Sequence, residues 1–219
     1  MSIAALILGE SGTGKSTSLR TLDPSRTLLI QAIKKPLPFK ASGWKTRASL
    51  KSDGNVIQSD DPALIERLLR QSPHDIVVID DFQYVMANEF MRRNQEKGYD
   101  KFNDIGRNAW NILMAAGDLA AHRRVYILAH TQSNDQGHVS IKTIGKMLDD
   151  KITIEGMVTI VLRTSVRDGS YLFATQNNGN DTTKSPMGMF DEQLIPNDLG
   201  AVDQAICDFY SIELAMAAA

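Results

Sequence analysis

Short apolar runs recur along the chain, each closed by a glycine, an acid or a polar cluster. Residues 3–8 are apolar without interruption up to Gly9, which predicts a strand covered on both faces, as in a parallel sheet. Residues 15–22 predict a short helix stopped by Asp23-Pro24. Residues 27–31 predict a second strand, and residues 34–54, punctuated by Pro36, Pro38, Gly43 and Gly54, a surface loop with some extended structure. Asp60 or Asp61 caps the next helix, with Pro62 in its first turn and the apolar stripe of residues 63–70 behind it. Residues 75–80 predict a third buried strand and residues 82–91 a helix. Residues 103–121 predict a longer helix whose core face carries Ile105, Trp110, Ile112, Leu113 and Ala116. A fourth buried strand is expected at 125–129, followed by a polar, mobile loop at 130–140. Residues 156–165 and 170–176 read as two strands joined at Arg167-Asp168-Gly169, a tight hairpin turn. Pro196-Asn197-Asp198 opens a last helix through Tyr210, and the alanine-rich residues 215–219 are expected to fray.

Alternation of strands and helices predicts an α/β fold, a mainly parallel β-sheet flanked by helices, with a C-terminal β-hairpin. The expected organisation is one domain over residues 1–210 and a frayed tail over 211–219. Such sheets bind ligands at the carboxyl ends of their strands. Of the 219 residues 42% are hydrophobic and 23% charged, enough to bury a core without staples. Cys207 is the single cysteine, so no intrachain disulfide forms, and it reads as a small buried apolar residue. The net charge of −2 means that any basic surface is local. No apolar run approaches the roughly 18 residues that span a bilayer, and residues 3–8 are too short for a signal peptide. The expectation is a soluble, cytoplasmic protein with no membrane partner.

Gly9-Glu10-Ser11-Gly12-Thr13-Gly14-Lys15-Ser16 fits G-x-x-x-x-G-K-[ST] between a buried strand and a helix. Glycines let successive N–H groups turn inward toward phosphate oxygens, and the helix start adds partial positive charge. This assigns Gly9, Glu10, Ser11, Gly12, Thr13, Gly14, Lys15, Ser16 and the following Thr17 to nucleotide binding. Lys15 is expected on the β- and γ-phosphates and the Ser16 hydroxyl on Mg²⁺. The apolar strand ending in Asp80-Asp81 supplies a carboxylate for the metal, assigned to Asp80. Asp81 is a candidate to orient or activate water, or alternatively a cap for the following helix. His130-Thr131-Gln132 follows the fourth strand, and Gln132 and His130 are candidates to sense the γ-phosphate, with ordinary loop residues as the alternative. No His or Cys clustering points to structural zinc. Arg92, Arg93, Lys97, Lys101 and Arg107, interleaved with Tyr99 and Phe102, suit single-stranded nucleic acid. Glu96, Asp100 and Asp104 dilute that charge, and a solvated face is the alternative. Lys142 and Lys146 are weaker candidates of the same kind.

The P-loop, the Asp80-Asp81 strand, the His130-Thr131-Gln132 tip and the hairpin together resemble RecA-like ATPases. Residues 35–39 (Lys-Pro-Leu-Pro-Phe), Gly145-Lys146-Met147-Leu148, Thr175-Gln176-Asn177-Asn178-Gly179 and residues 184–190 resemble the phage-encoded, core-only group that assists single-strand annealing and recombination. The likeness covers residues 2–208. It implies ATP and Mg²⁺ at the interfaces of a homo-oligomer, filament or ring, in the host cytoplasm. It further implies single-stranded DNA facing the loops after Asp81 and Gln132, together with phage or host recombination or replication proteins. A neighbouring subunit would supply a cation to the phosphates, with Lys184 the candidate. Two departures stand out. Members of the family carry a glutamate at the end of the second strand to activate water, and here that strand ends Gln31-Ala32. Glutamine takes no proton at neutral pH, which leaves Asp81, Glu10 or a water-positioning Gln31 as substitutes. Related hexameric helicases carry two cations before an Asn-Gly at the hairpin, absent from residues 175–179. The expected activity is therefore a P-loop ATPase, possessing slow hydrolysis at the limit, in recombination or annealing. The alternative is an ATP-driven helicase loader or motor, or an ATP-gated assembly protein. A nucleotide kinase would need an arginine-dense lid, which the sequence lacks.

Overall fold

The computed structural model describes residues 1–49, 52–145, 148 and 151–213. Lys146 and Met147 of the resemblance above, and the tail beyond residue 213, lie outside the described residues. In chain order the elements are β1 (Ile3–Gly9), a 3₁₀ turn (Ser16–Thr21), β2 (Thr27–Gln31), β3 (Val56–Gln58), α1 (Pro62–Gln71), β4 (Ile76–Asp80) and α2 (Gln83–Arg92). They continue with α3 (Asp100–Gly117), β5 (Arg124–Ser133), β6 (Val139–Ile141), a second 3₁₀ turn (Ile154–Met157), β7 (Ile160–Arg167), β8 (Ser170–Ala174), β9 (Leu194–Pro196) and α4 (Leu199–Tyr210).

Successive side chains of a strand point to opposite faces, and each central strand feeds two apolar cores. Leu6 and Leu8 of β1, with Val77 and Ile79 of β4, pack beneath α1, α2 and α3 through Ile65, Leu69, Met86, Ile105 and Ile112. Ala5 and Ile7, with Val78 and Leu128, meet Leu19, Trp44 and the α4 residues Leu199, Val202 and Ile206. Burial of each Leu, Ile or Val contributes about 1.5–3 kcal/mol, so both faces of the continuous apolar runs are used. The second face is also pinned by charge: Arg124 donates to both Asp203 carboxylate oxygens at 2.9 Å, and Tyr126 Oη donates to Asp203 at 2.6 Å. Asp61, of the two candidate acids, caps α1 by accepting from Ala63 N at 3.0 Å.

The strands lie in the order β3-β2-β4-β5-β1-β7-β8-β9, with β6 on the extension of β5. From β3 to β7 every neighbouring pair is parallel; β8 and β9 add antiparallel partners. This is the α/β, mainly parallel sheet with a C-terminal hairpin. Because β1, β2, β4 and β5 run the same way, their carboxyl ends emerge at one edge. Register places Gly9 opposite His130 and Gln31 opposite Asp80.

Several expectations change. The helix expected at residues 15–22 is a six-residue 3₁₀ turn. Ser18 and Thr21 hydroxyls donate to carbonyls three residues back, at 2.6 and 3.2 Å, and Asp23-Pro24 leaves no length for an α-helix to recover. Trp110 leaves the core face of α3 and is 38% exposed, while Ile105, Ala109, Ile112, Leu113 and Ala116 are buried. Residues 130–140 are not a loose loop: β5 runs on to Ser133 and pairs antiparallel with β6, Gln132 opposite Ser140. Asn134 closes that turn by accepting from the backbone of Gln136 and His138.

Candidate functional site

The loop from Glu10 to Lys15 bends through Gly12 (φ +79°) and Gly14 (φ +100°), a region that L side chains avoid. A Cβ on Gly14 would also lie 3.0 Å from the Tyr171 ring and 3.2 Å from the Asn197 carboxamide. Thr13 Oγ1 donates to Glu10 O at 2.7 Å and contacts Thr164 Oγ1 of β7 at 2.5 Å, which braces the loop against the sheet.

Lys15 is buried, and its Nζ donates to Gly9 O at 2.8 Å and Glu10 O at 2.7 Å. Burial lowers its pKa to about 8, against the pull of Asp81 and Asp80. Ser16 Oγ stands 2.9 and 3.0 Å from the two carboxylate oxygens of Asp80. Although β5 separates β1 from β4 in the sheet, the P-loop reaches across the end of β5 to make this contact. Asp80 is fully buried; burial first, and then the charge of Asp81, push its pKa up to about 6.

Asp81 turns the chain from β4 into α2 with φ +63°. Its carboxylate pairs with Lys35 Nζ and lies 3.8 Å from His130 Nε2. The side chain points at cations in the pocket rather than capping α2, whose N-terminus has no side-chain cap bond. Lys35 arrives from the loop after β2, where Gln31 Nε2 donates to Lys35 O at 3.3 Å. Burial pulls the Lys35 ammonium down, and the Asp81 bond and Asp80 charge more than restore it, so its pKa sits above the usual value. Lys15, Ser16, Lys35 and Asp81 line a cavity of about 240 Å³ with Gly12, Gly14, Pro36, Pro38 and Tyr171.

His130 lines the same cavity. Burial and then the nearby Lys15 hold its pKa below the usual imidazole value, which keeps the ring neutral at pH 7. The backbone N–H of His130 donates to Gln83 Oε1 at 3.1 Å. Gln132 is two residues further along β5, and the strand period puts it on the face of His130. Glu10 is exposed and reaches the site through its carbonyl. Lys184 lies apart from the cavity lining, its backbone paired with Val161 on β7 at 2.8 and 2.9 Å. The cavity thus brings together Lys15, Ser16, Asp81 and His130, with Asp80 buried behind Ser16, and leaves Glu10, Gln132 and Lys184 outside its lining. Sequence reasoning missed Lys35 and Tyr171 as site residues. Lys35 carried one usable signal: it follows within four residues of the strand end at which every other motif gathers.

A serine hydroxyl facing a carboxylate is a hard oxygen pair suited to Mg²⁺. Among the described residues no group of three or more His, Cys, Asp or Glu gathers as a metal site. A cation here would take its remaining ligands from phosphate and water, as Mg²⁺ commonly does.

The basic segment is engaged internally. Arg93 bonds to Glu89, Glu96 and Asp104, Arg92 to Asp60, and Arg107 to Asp104. Lys101 donates to Glu96 O at 2.9 Å and sits over the Phe90 and Phe102 rings, so Phe102 is packed while Tyr99 is 84% exposed. Among the described residues no helix is long and apolar enough to cross a membrane.

No family model matches the sequence, and no curated protein matches it. Among solved structures, the genome packaging NTPase B204 from Sulfolobus turreted icosahedral virus 2, in complex with ATP-gammaS, is similar over 76% of this chain and 76% of its own. The identity is 11% and the TM-score 0.38, a likeness too distant to assign this chain a substrate or partner.

Proposed function

We propose that this chain is an Mg²⁺-dependent P-loop ATPase of RecA-like type that couples nucleotide occupancy to single-stranded DNA held by an assembly of its copies. The observation that carries the nucleotide part is the Ser16–Asp80 contact at 2.9 and 3.0 Å across the end of β5, beside a buried lysine on a glycine-turned loop. Backbone N–H groups of the loop and Lys15 would bind the phosphates. Ser16 and Asp80 would hold Mg²⁺, which when bound neutralises charge on the β- and γ-oxygens. Asp81, one residue beyond Asp80 and facing the cavity, would accept a hydrogen bond from the attacking water and orient it. His130 and Gln132 share one face of β5 and would pass the state of the terminal phosphate to the β5–β6 hairpin. Lys184 would reach the phosphates of a neighbouring copy.

The choice of partner draws on the resemblance and on that hairpin, since Arg92, Arg93 and Arg107 are already paired with acids. The test is phosphate release from Mg·ATP with and without single-stranded DNA, beside Lys15→Ala, and nucleotide-dependent strand binding at low salt, where phosphate contacts are strongest. Turnover stimulated by DNA and abolished by the substitution supports the proposal. Nucleotide binding with no strand binding at low salt removes the DNA part.

One observation favours a second role, that of an ATP-gated assembly protein with slow or no hydrolysis. Gln31 stands where a catalytic glutamate is expected, and its amide is turned to Lys35 O. Tight nucleotide binding with no phosphate release under either condition would select this role.

A further inference from the structure

Lys35 has no part in the functions assigned so far, yet it is the second lysine lining the cavity, opposite the P-loop. Its position is built rather than incidental. Gln31 Nε2 bonds to Lys35 O at 3.3 Å, and Ala32 N donates to Asp80 O at 3.1 Å, fixing the start of this loop to the end of β4. Pro36 restricts Lys35 to extended backbone and sets its own φ. The Lys35 side chain is 38% exposed while its partner Asp81 is 4% exposed, so a ligand can reach the ammonium.

We propose that Lys35 is the residue by which this pocket distinguishes a nucleoside triphosphate from a diphosphate, its ammonium exchanging the Asp81 carboxylate for an oxygen of the terminal phosphate. The inference rests on the triphosphatase proposal above and deepens it. Three features support the exchange. Ser16 and Asp80 would hold the metal, and Asp81, the next residue along the chain, lines the cavity with Lys15 and Lys35, where a terminal phosphate would lie. A carboxylate and a phosphate oxygen offer an ammonium equivalent charge-assisted bonds, so the exchange leaves Lys35 paired. Release of Asp81 then frees its carboxylate for water only when a third phosphate is present, which links substrate recognition to positioning of the nucleophile. The amide at Gln31 fits this arrangement: it anchors the loop that carries the cation, a task a carboxylate could not perform toward a carbonyl.

The experiment measures calorimetric affinity for Mg²⁺ with ADP and with the β,γ-imido analogue of ATP. Lys35→Met is expected to weaken the analogue about tenfold or more while ADP changes less than threefold, and Lys35→Arg to retain most of the preference. Lys35→Met leaves Asp81 without its cation, so Lys35→Met/Asp81→Asn is measured as well; it should lose the triphosphate preference, and Asp81→Asn alone should keep it. Equal weakening of both nucleotides in Lys35→Met, or loss of the preference in Asp81→Asn alone, overturns the proposal. Wild type binding both nucleotides equally would sink this inference alone. Wild type binding neither would remove the ATPase proposal and this inference with it.

Discussion

Replacing Asp80 with asparagine should make the folded chain more stable while abolishing its use of Mg²⁺. Asp80 is fully buried at the end of β4 with Asp81 beside it, and its pKa is pushed from the ordinary 3.8 up to about 6, by burial and then by the charge of Asp81. Each pKa unit is about 1.4 kcal/mol, so keeping the carboxylate ionised costs the folded state about 3 kcal/mol at neutral pH. Asparagine preserves the shape and still accepts from Ser16. The variant should gain about 2–3 kcal/mol at pH 8, roughly 4–12 °C in Tm for a chain of this length. The sign follows from proton binding. At pH below about 3 the carboxyl is protonated in folded and unfolded chains alike, and variant and wild type should agree. As pH rises, the unfolded chain ionises first and the folded chain only near pH 6, so wild type loses stability relative to the variant across that window. Above it the gap is constant. The assay is urea unfolding in EDTA, followed by the fluorescence of Trp44 and Trp110, at a series of pH values. Adding Mg·ATP should reverse the order, because only wild type gains binding free energy in the folded state. A variant no more stable than wild type at pH 8, or one with the same gain at pH 3, would refute the reasoning.

Three further outcomes are expected. Burial draws Lys15 to about pKa 8, so phosphate binding at pH 8.5 should take up protons, and affinity should fall as pH rises past about 8; binding heats in buffers of different ionisation enthalpy measure this, and buffer-independent heats would count against it. Arg124→Met leaves Asp203 buried without its cation and should cost about 3–5 kcal/mol in urea unfolding, of which Arg124→Met/Asp203→Leu should recover more than half. Gly14→Ala forces a side chain into φ +100° and against Tyr171 and Asn197; nucleotide affinity should drop about tenfold or more, with a Tm loss corresponding to about 1–3 kcal/mol.

How much of this was legible in sequence depends on how local each feature is. The P-loop and the Asp80 strand are encoded within a few neighbouring residues, so spacing alone places Lys15, Ser16 and Asp80 at one sheet edge. The hairpin at Asp168-Gly169 is similarly local. Strands β3, β6 and β9 are three residues each, too short to show a period, and they exist because a longer neighbour offers an open edge. The hydrophobicity of Trp110 argues for the core, but at 100° per residue it lies about 140° from Ile105, off the stripe that Ala109, Ile112 and Ala116 define. Lys35 was hidden for a different reason. It sits in an irregular, proline-punctuated segment, and its role depends on Asp81, a residue joined to it only by the pairing of β2 with β4.

Asp81 and its neighbours show why the fold keeps this site against local preference. Asp81 occupies φ +63°, a conformation costing of order 1 kcal/mol or more for a residue with a side chain. Asp80 and Lys15 are ionisable groups held out of water, each with its pKa displaced toward the neutral form. Two apolar cores fix β1, β4 and β5 from opposite faces, and that rigidity makes the displaced charges tolerable. The consequence is complementarity. The direct hydrogen bonds of the buried ammonium go to two neutral carbonyl oxygens, and those of the buried carboxylate come from a neutral hydroxyl. The proposed phosphate with its metal would supply a counter-charge to both at once, without the protein having to reorganise its strands. Removing either charge, as Asp80→Asn does, removes the reason for the ligand to bind, so at these positions stability and function should move in opposite directions.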